Sequence, residues 1–310
     1  MEGIINVLKP PGMTSHDVIS FLRRTLGEKK IGHCGTLDPQ AAGVLPVCLG
    51  QATKLADYLS GGEKSYYGEL ELGYETDTQD IWGERIRSFS VPALESARDL
   101  AGVQRAAGSL EGRILQEVPA FSAVKKQGQS LHRLARKGEV VSGMAREVFI
   151  RSFQILECRG STIRFIVECG SGTYVRMLCR DLARLLDSGG AMSFLLRLSV
   201  GPCFLANSFT LEEIRQHKED KGSLSAEMLA PKELALFSLP QAIAAEGEAA
   251  RLRQGQTLWL RASEFPTAEA AASKGCVLDQ EGRLVALGSW QAGYGDKQGW
   301  ILFKPDKTFN

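Results

Sequence analysis

Apolar and polar residues change places along this chain at two periods, one near two residues and one near three and a half, and the switches between them predict its elements. Residues 4–8 form a short apolar run ended by Lys9-Pro10-Pro11-Gly12, a strand and a turn. Thr14 or Ser15 then caps a helix through Leu26, closed by Gly27. Val44, Leu45 and residues 47–49 predict a strand, residues 53–59 a short helix, and the alternation over 64–72 a long strand. The stretch YETDTQDIWGE that follows predicts a turn between strands. Residues 92–107 suit a helix, while 113–118 and 120–124 have strand character. Further strands are expected at 147–158 and 163–169, a helix at 173–186 just after Gly170-Ser171-Gly172, and a strand pair at 194–200 and 203–204. An alanine-rich connector between about 238 and 248 follows Leu239-Pro240 and divides the chain into residues 1–240 and 245–310. Short β-type runs at 257–260, 276–278, 284–287 and 300–303, separated by Gly and Asp turns, predict a small β-barrel in the second part.

Residues 32–54, GHCGTLDPQAAGVLPVCLGQATK, set one carboxylate in a backbone that is otherwise small and apolar. Asp38-Pro39 predicts a turn with the aspartate at its corner, and glycines at 32, 35, 43 and 50 allow close approach of another chain segment. An Asp-Pro pair alone is an ordinary turn. With His33, Thr36, four glycines and a following apolar strand, the pattern suits a reactive group on a rigid support.

At 310 residues and 44% hydrophobic content, the chain is long enough for two domains. No apolar run approaches the roughly 18 to 20 residues of a membrane span, so a soluble cytoplasmic protein is expected. The seven cysteines are odd in number, scattered and free of any Cys-x-x-Cys pair, which suits reduced core residues. The four histidines have no partner at zinc-site spacing, so no metal is expected. The formal charge of +1 hides segregation: from Arg113 to Arg151 there are eight Lys/Arg and three Asp/Glu, whereas Glu63 to Glu111 has five basic and ten acidic residues. The first stretch suits phosphates; the second is expected to stay solvated and repel them. Within the basic stretch, KKQGQSLHRLARKGEVV predicts a loop leading into a short basic helix near 130–137.

Three further features carry possible chemistry. Tyr66, in Lys64-Ser65-Tyr66, is either a half-buried packing residue or a site tyrosine that stacks on a base or moves a proton. Arg176, in GSGTYVR, sits in the first turn of its helix, where a cation opposes the helix dipole and needs a carboxylate partner such as Asp38. The third is FLLRLSVG at 194–201. The glycines before the helix lack the Walker lysine and the dinucleotide-binding spacing, and one carboxylate is too few for glycosidase chemistry.

Taken together, KPPGMTS, GHCGTLDPQAAGVLPVCLGQATK, KSY, VPAFSAVKKQGQSLHRLARKG, GTYVR and RLSVG resemble the bacterial TruB-type tRNA pseudouridine synthases over nearly the whole chain. The resemblance implies an α+β fold: a mixed, largely antiparallel sheet flanked by helices, plus a small C-terminal PUA-like domain. It implies Asp38 as the catalytic aspartate, Tyr66 and Arg176 as its supports, and Leu195 as an apolar lining of the uracil pocket. His33 would contact the RNA near a flipped base, and Lys9 with Pro10 would brace the active-site loop. Lys9, Lys64, Lys125, Lys126, His132, Arg133 and Arg136 are expected to bind RNA, the last five in an insert at about 120–145 that closes on it. The implied substrate is the T arm of tRNA, at the T-loop uridine 55, and the implied chemistry needs no metal or cofactor. With no long amphipathic seam in the sequence, a monomer without an obligatory protein partner is expected. Two alternatives share these residues: a guide-RNA-dependent synthase within a ribonucleoprotein, and a non-catalytic tRNA-folding chaperone.

Overall fold

The chain is described by a computed structural model that places residues 1–91, 97–122, 125–126, 129–130, 144–261, 274–293 and 300–309. Strand β1 (Gly3–Lys9) passes through the Pro-Pro-Gly turn into helix α1 (Ser15–Leu26). Thr14 caps α1 in a reciprocal box with Asp17, and Gly27 closes it in the left-handed conformation, φ 67°. Val18, Ile19, Leu22 and Leu26 form its buried stripe. Then come β2 (Ile31–His33), the Asp38 loop, β3 (Ala42–Leu49), a 3₁₀ turn at Gly50–Leu55, α2 (Ala56–Ser60) and β4 (Lys64–Leu72). The acidic stretch forms a hairpin of β5 (Tyr74–Thr76) and β6 (Arg85–Ser88). Helix α3 (Ala97–Gly108), β7 (Gly112–Glu117) and a ribbon of β8 (Lys125–Lys126) on β9 (Gln129–Ser130) follow. β10 (Ala145–Arg159), β11 (Thr162–Cys169), α4 (Val175–Leu185), β12 (Gly190–Val200), β13 (Cys203–Phe204) and α5 (Leu211–Lys221) complete the first part.

Nine strands make one sheet in the order β1-β3-β12-β4-β11-β10-β7, with β2 on β3 and β13 on β12. Every pairing is antiparallel except β12 on β3, which is parallel over Leu196–Ala42 and Arg197–Gly43. β4 alternates buried and half-buried residues over its whole length, as its sequence period requires. β3 is buried on both faces: Leu45, Val47 and Leu49 join the core under α1 and α4, while Val44 and Cys48 join a second core on the other side.

The C-terminal residues build a five-stranded sheet, β14-β16-β17-β18-β15, from β14 (Gln241–Ile243), β15 (Leu258–Arg261), β16 (Lys274–Leu278), β17 (Leu284–Ala292) and β18 (Trp300–Thr308), with α6 (Glu246–Arg253) between β14 and β15. Its Leu284, Leu287 and Phe309 share the second core with Val44, Cys48 and Leu236. Lys54 Nζ also donates to Thr308 O at 3.1 Å, and Lys307 Nζ to Lys54 O at 2.8 Å.

Several expectations change. Residues 120–122 are bends rather than a strand, and 123–124 lie outside the described residues. The alanine-rich connector is partly ordered as β14 and α6, and α5, with its Thr210–Glu213 capping box, was not expected. The third helix is described from Ala97; residues 92–96 lie outside the described set, as does the expected basic helix, except that Ser130 belongs to β9. Among the described residues, no helix is long and apolar enough to cross a membrane.

Candidate active site

Asp38 lies on the loop between β2 and β3, where Ala41 N donates to Asp38 O at 3.1 Å and closes the Asp-Pro turn. The N-terminal motif holds this loop from one side. Ser15 Oγ donates to Leu37 O at 3.2 Å and accepts from Leu37 N at 3.0 Å. Gly12 N donates to Pro39 O at 2.9 Å, and Lys9 Nζ donates to Pro39 O at 3.0 Å and Pro10 O at 2.8 Å. Both neighbours of the aspartate are thereby fixed through backbone.

Arg197, on β12, holds the loop from the other side. Its guanidinium donates to Val44 O at 2.7 Å, Gly35 O at 3.1 Å and Thr36 O at 3.4 Å. The side chain is only 1% exposed and forms no ion pair among the described residues. The approach depends on Gly43, whose φ is +111°: a Cβ there would stand 2.2 Å from Arg197 O.

The Asp38 carboxylate, 41% exposed, faces a buried cation. Arg176, in the first turn of α4, donates through Nε to Asp38 Oδ2 at 2.8 Å and through Nη2 to Oδ1 at 3.4 Å. Its remaining donors reach Thr78 O at 2.7 Å and Phe121 O at 3.0 Å, so one guanidinium ties the aspartate to the 77–84 turn and to the segment after β7. Gln116, itself buried, fixes the start of α4 by accepting from Tyr174 N at 2.8 Å and donating to Tyr174 O at 3.2 Å. Asp80 is a second carboxylate in this network. Burial raises its pKa, offset by its bond from Thr78 and by the Arg176 charge.

Tyr66 and Leu195 are buried on neighbouring strands beside this centre; Tyr66 pairs in register with Arg197, and Leu195 with Gly68. Burial pushes the Tyr66 phenol up to about 12, with Arg197 opposing. His33 lies on β2; burial, then the Arg197 and His16 charges, lowers its pKa, and its buried Nδ1 has no hydrogen-bond partner among the described residues.

Two expected RNA contacts need correction. Lys9 has no exposed surface, and Lys64, 7% exposed, donates to Ser60 O at 2.7 Å and Gly62 O at 2.8 Å. Burial lowers both ammonium groups to about 8. These lysines clamp backbone carbonyls and are not presented to phosphates. Lys125 and Lys126 stand on the β8–β9 ribbon, while His132, Arg133 and Arg136 lie outside the described residues. Among the described residues, no cluster of three metal-ligating side chains occurs. A cavity of about 700 Å³ bounded by Gly62, Glu63, Phe204 and Phe237 includes none of Asp38, Tyr66, Arg176 or Leu195 in its lining.

Sequence reasoning missed Arg197, Ser15, Gln116 and Asp80. Arg197 stands inside the RLSVG motif, and Ser15 inside KPPGMTS, so both were in stretches already singled out.

Comparison with known proteins is consistent across the chain. The model of the TruB family pseudouridylate synthase N-terminal domain matches residues 23–175, and that of the tRNA pseudouridylate synthase B C-terminal domain matches residues 176–237. A tRNA pseudouridine synthase B of Heliobacterium modesticaldum is 39% identical over 312 residues, covering 100% of this chain and 96% of the relative. That of Limosilactobacillus reuteri is 40% identical over 319 residues, covering 100% and 99%. A solved H/ACA RNP bound to a substrate RNA containing 2′-deoxyuridine includes a chain similar at TM-score 0.75 and 24% identity, covering 99% of this chain and 85% of that one. This last likeness concerns the fold: a pseudouridine synthase sheet followed by a PUA-like unit.

Proposed function

Because the chain belongs to the TruB family of pseudouridylate synthases and is a tRNA pseudouridine synthase, we propose that it converts the T-loop uridine 55 to pseudouridine with Asp38 as its catalytic group. The observation that carries this reading is the half-exposed Asp38 carboxylate, paired at 2.8 Å with buried Arg176 on a loop clamped from both sides. The reaction conserves atoms and electrons. The N1–C1′ bond breaks, the uracil turns, C5 bonds to C1′, and the C5 proton moves to N1 through solvent. Asp38 starts it either by attack at C1′ or by taking the C2′ proton; both routes need a carboxylate at a fixed position. Arg176 orients that carboxylate and offsets its charge.

Tyr66 and Leu195 form the walls against which the detached uracil is held while it turns. With its phenol at about 12, Tyr66 keeps its proton through the neutral range, so it contributes ring surface and an O–H donor. The target base must leave its stack to reach Asp38, and His33, on β2 just ahead of the Asp38 loop, is the residue we take to contact the opened RNA. Lys125, Lys126, His132, Arg133 and Arg136 grip the T arm, within an insert at about 120–145. Residues 1–240 then act as the catalytic unit and 245–310 as the RNA-binding unit. The protein works in the cytoplasm as a monomer, without metal or protein partner.

Incubating the purified chain with an unmodified T-arm hairpin, without added metal, tests the proposal. Pseudouridine at the T-loop uridine is expected, and its absence despite tight RNA binding overturns the stand-alone reading.

A further inference from the structure

The 74–88 hairpin belongs to the most acidic stretch of the chain, yet of its four carboxylates Glu75, Asp77 and Asp80 are half-buried and tied down, and Glu84 alone is exposed. Asp77 Oδ1 accepts from Glu84 N at 2.8 Å, and Asp80 Oδ1 accepts from Thr78 Oγ1 at 2.6 Å and from Trp82 N at 3.2 Å. Glu75 is paired with Arg184 of α4 at 3.0 Å. Three of the acids that made this segment look repulsive to phosphate are therefore occupied by its own backbone and by the helix beneath it. Gly83 permits the tight tip, since a Cβ there would meet Thr78 Oγ1 at 2.2 Å and Asp77 Oδ1 at 2.3 Å.

The outward side has different chemistry. Trp82 is 48% exposed at the tip, with Ile81 and Ile86 also exposed. Arg85 and Arg87, alternate residues on one face of β6, are exposed and form no ion pair among the described residues. Each guanidinium lies over a ring, Arg85 at 4.0 Å from the Tyr74 centroid and Arg87 at 4.6 Å from that of Phe89, which fixes its position without cancelling its charge. The hairpin is also welded to the active site. Arg176 donates to Thr78 O at 2.7 Å, Met192 N to Gln79 O at 3.0 Å, and Ile81 N to Met192 O at 3.0 Å.

We propose that this hairpin is a second RNA-contact element, holding an unstacked nucleotide of the substrate loop on Trp82 and neighbouring phosphates against Arg85 and Arg87. The inference rests on the functional reading above. An exposed indole beside ring-supported guanidiniums is the combination that single-stranded nucleic acid recognises, through base stacking and backbone charge together. A purely apolar protein partner would have no use for the arginines. Because Arg176 holds both this turn and Asp38, a nucleotide seated here lies in register with the reacting uridine.

The test compares Trp82→Ala, Trp82→Phe and the double variant Arg85→Glu/Arg87→Glu with wild type, each measured for affinity to unmodified tRNA at several salt concentrations and for KM in pseudouridine formation. Trp82→Ala should weaken affinity about tenfold, as loss of one base–aromatic stack does, with a matching rise in KM and recovery in Trp82→Phe. The charge reversal should lower the slope of log affinity against log salt by about one to two. Wild-type affinity and salt slope in both Trp82→Ala and the double variant would overturn the inference while leaving the function standing. A wild-type chain that binds tRNA but leaves it unmodified overturns the functional reading, and this one with it.

Discussion

Replacing Arg197 with methionine removes a buried clamp on the Asp38 loop, together with the charge beside the Tyr66 phenol. The guanidinium makes two well-formed bonds, to Val44 O at 2.7 Å and Gly35 O at 3.1 Å, and a marginal one to Thr36 O at 3.4 Å. Each good charge-assisted bond contributes about 1.5–3 kcal/mol, and Val44, which accepts the shortest of them, has no exposed surface from which water could replace it. Against this, methionine relieves the cost of burying a cation that has no carboxylate partner among the described residues. The balance is a loss of about 2–4 kcal/mol, or about 4–8 °C in melting temperature for a chain of this size. The effect on chemistry should be larger than the effect on binding. Gly35, Thr36 and Val44 bracket Asp38, and a misplacement of about 1 Å costs on the order of 100-fold in rate. Single-turnover release of tritium from tRNA labelled at uridine C5 reads the rate at saturating RNA, and melting reads stability. Arg197→Lys keeps the charge but loses the fork, and should fall between. A methionine variant with a lowered melting temperature and a wild-type single-turnover rate would refute the positioning argument.

Other consequences are equally open to measurement. Arg176→Lys cannot hold Asp38, Thr78 O and Phe121 O at once, so single-turnover rate should fall about 100-fold or more, far beyond any change in tRNA affinity; equal losses in both would contradict the geometry. Gly43→Ala places a Cβ 2.2 Å from Arg197 O at φ +111° and should destabilise by about 3 kcal/mol or more, seen as a sharp drop in melting temperature. Lys9 and Lys64 titrate at about 8 when folded against about 10.4 unfolded, so between those values the unfolded chain holds more protons and their contribution to stability rises with pH. Urea unfolding at pH 7.5 and 9.5 should show a smaller rise in Lys9→Met than in wild type, and identical slopes would count against the burial of Lys9. The rate should also decline above about pH 8 as the Lys9 bond to Pro39 O loses its charge, a limb that Lys9→Met should lack.

What could be seen in the sequence was mostly local. The period-two alternation of β4 fixed its ends, and Thr14 with Gly27 marked both ends of α1, because each signal is completed within a few residues. The partnership of Arg176 with a carboxylate could be anticipated from the unfavourable place of a cation at a helix start, and the family motifs pointed to Asp38 across 138 positions. Arg197 was hidden for the opposite reason. Its burial follows from the parallel pairing of β12 with β3, a contact that no local pattern encodes. Lys9 and Lys64 misled because lysines are ordinarily exposed, whereas here carbonyls converge on each ammonium. Helix α5 buries only Ile214 and has no apolar period to find, although its Thr210–Glu213 capping box was legible. The acidic hairpin shows the limit of counting charges, since the count cannot say which carboxylates fold back on their own backbone.

The most direct test of the account is pseudouridine formation at the T-loop uridine of an unmodified T-arm hairpin by wild type and Asp38→Asn in parallel, with affinity measured for both. The account predicts product from wild type alone, and affinities that agree within a few fold, because Asp38 acts on the flipped nucleotide rather than holding the arm. Product from Asp38→Asn at a rate near wild type would contradict the assignment of the reaction to this carboxylate.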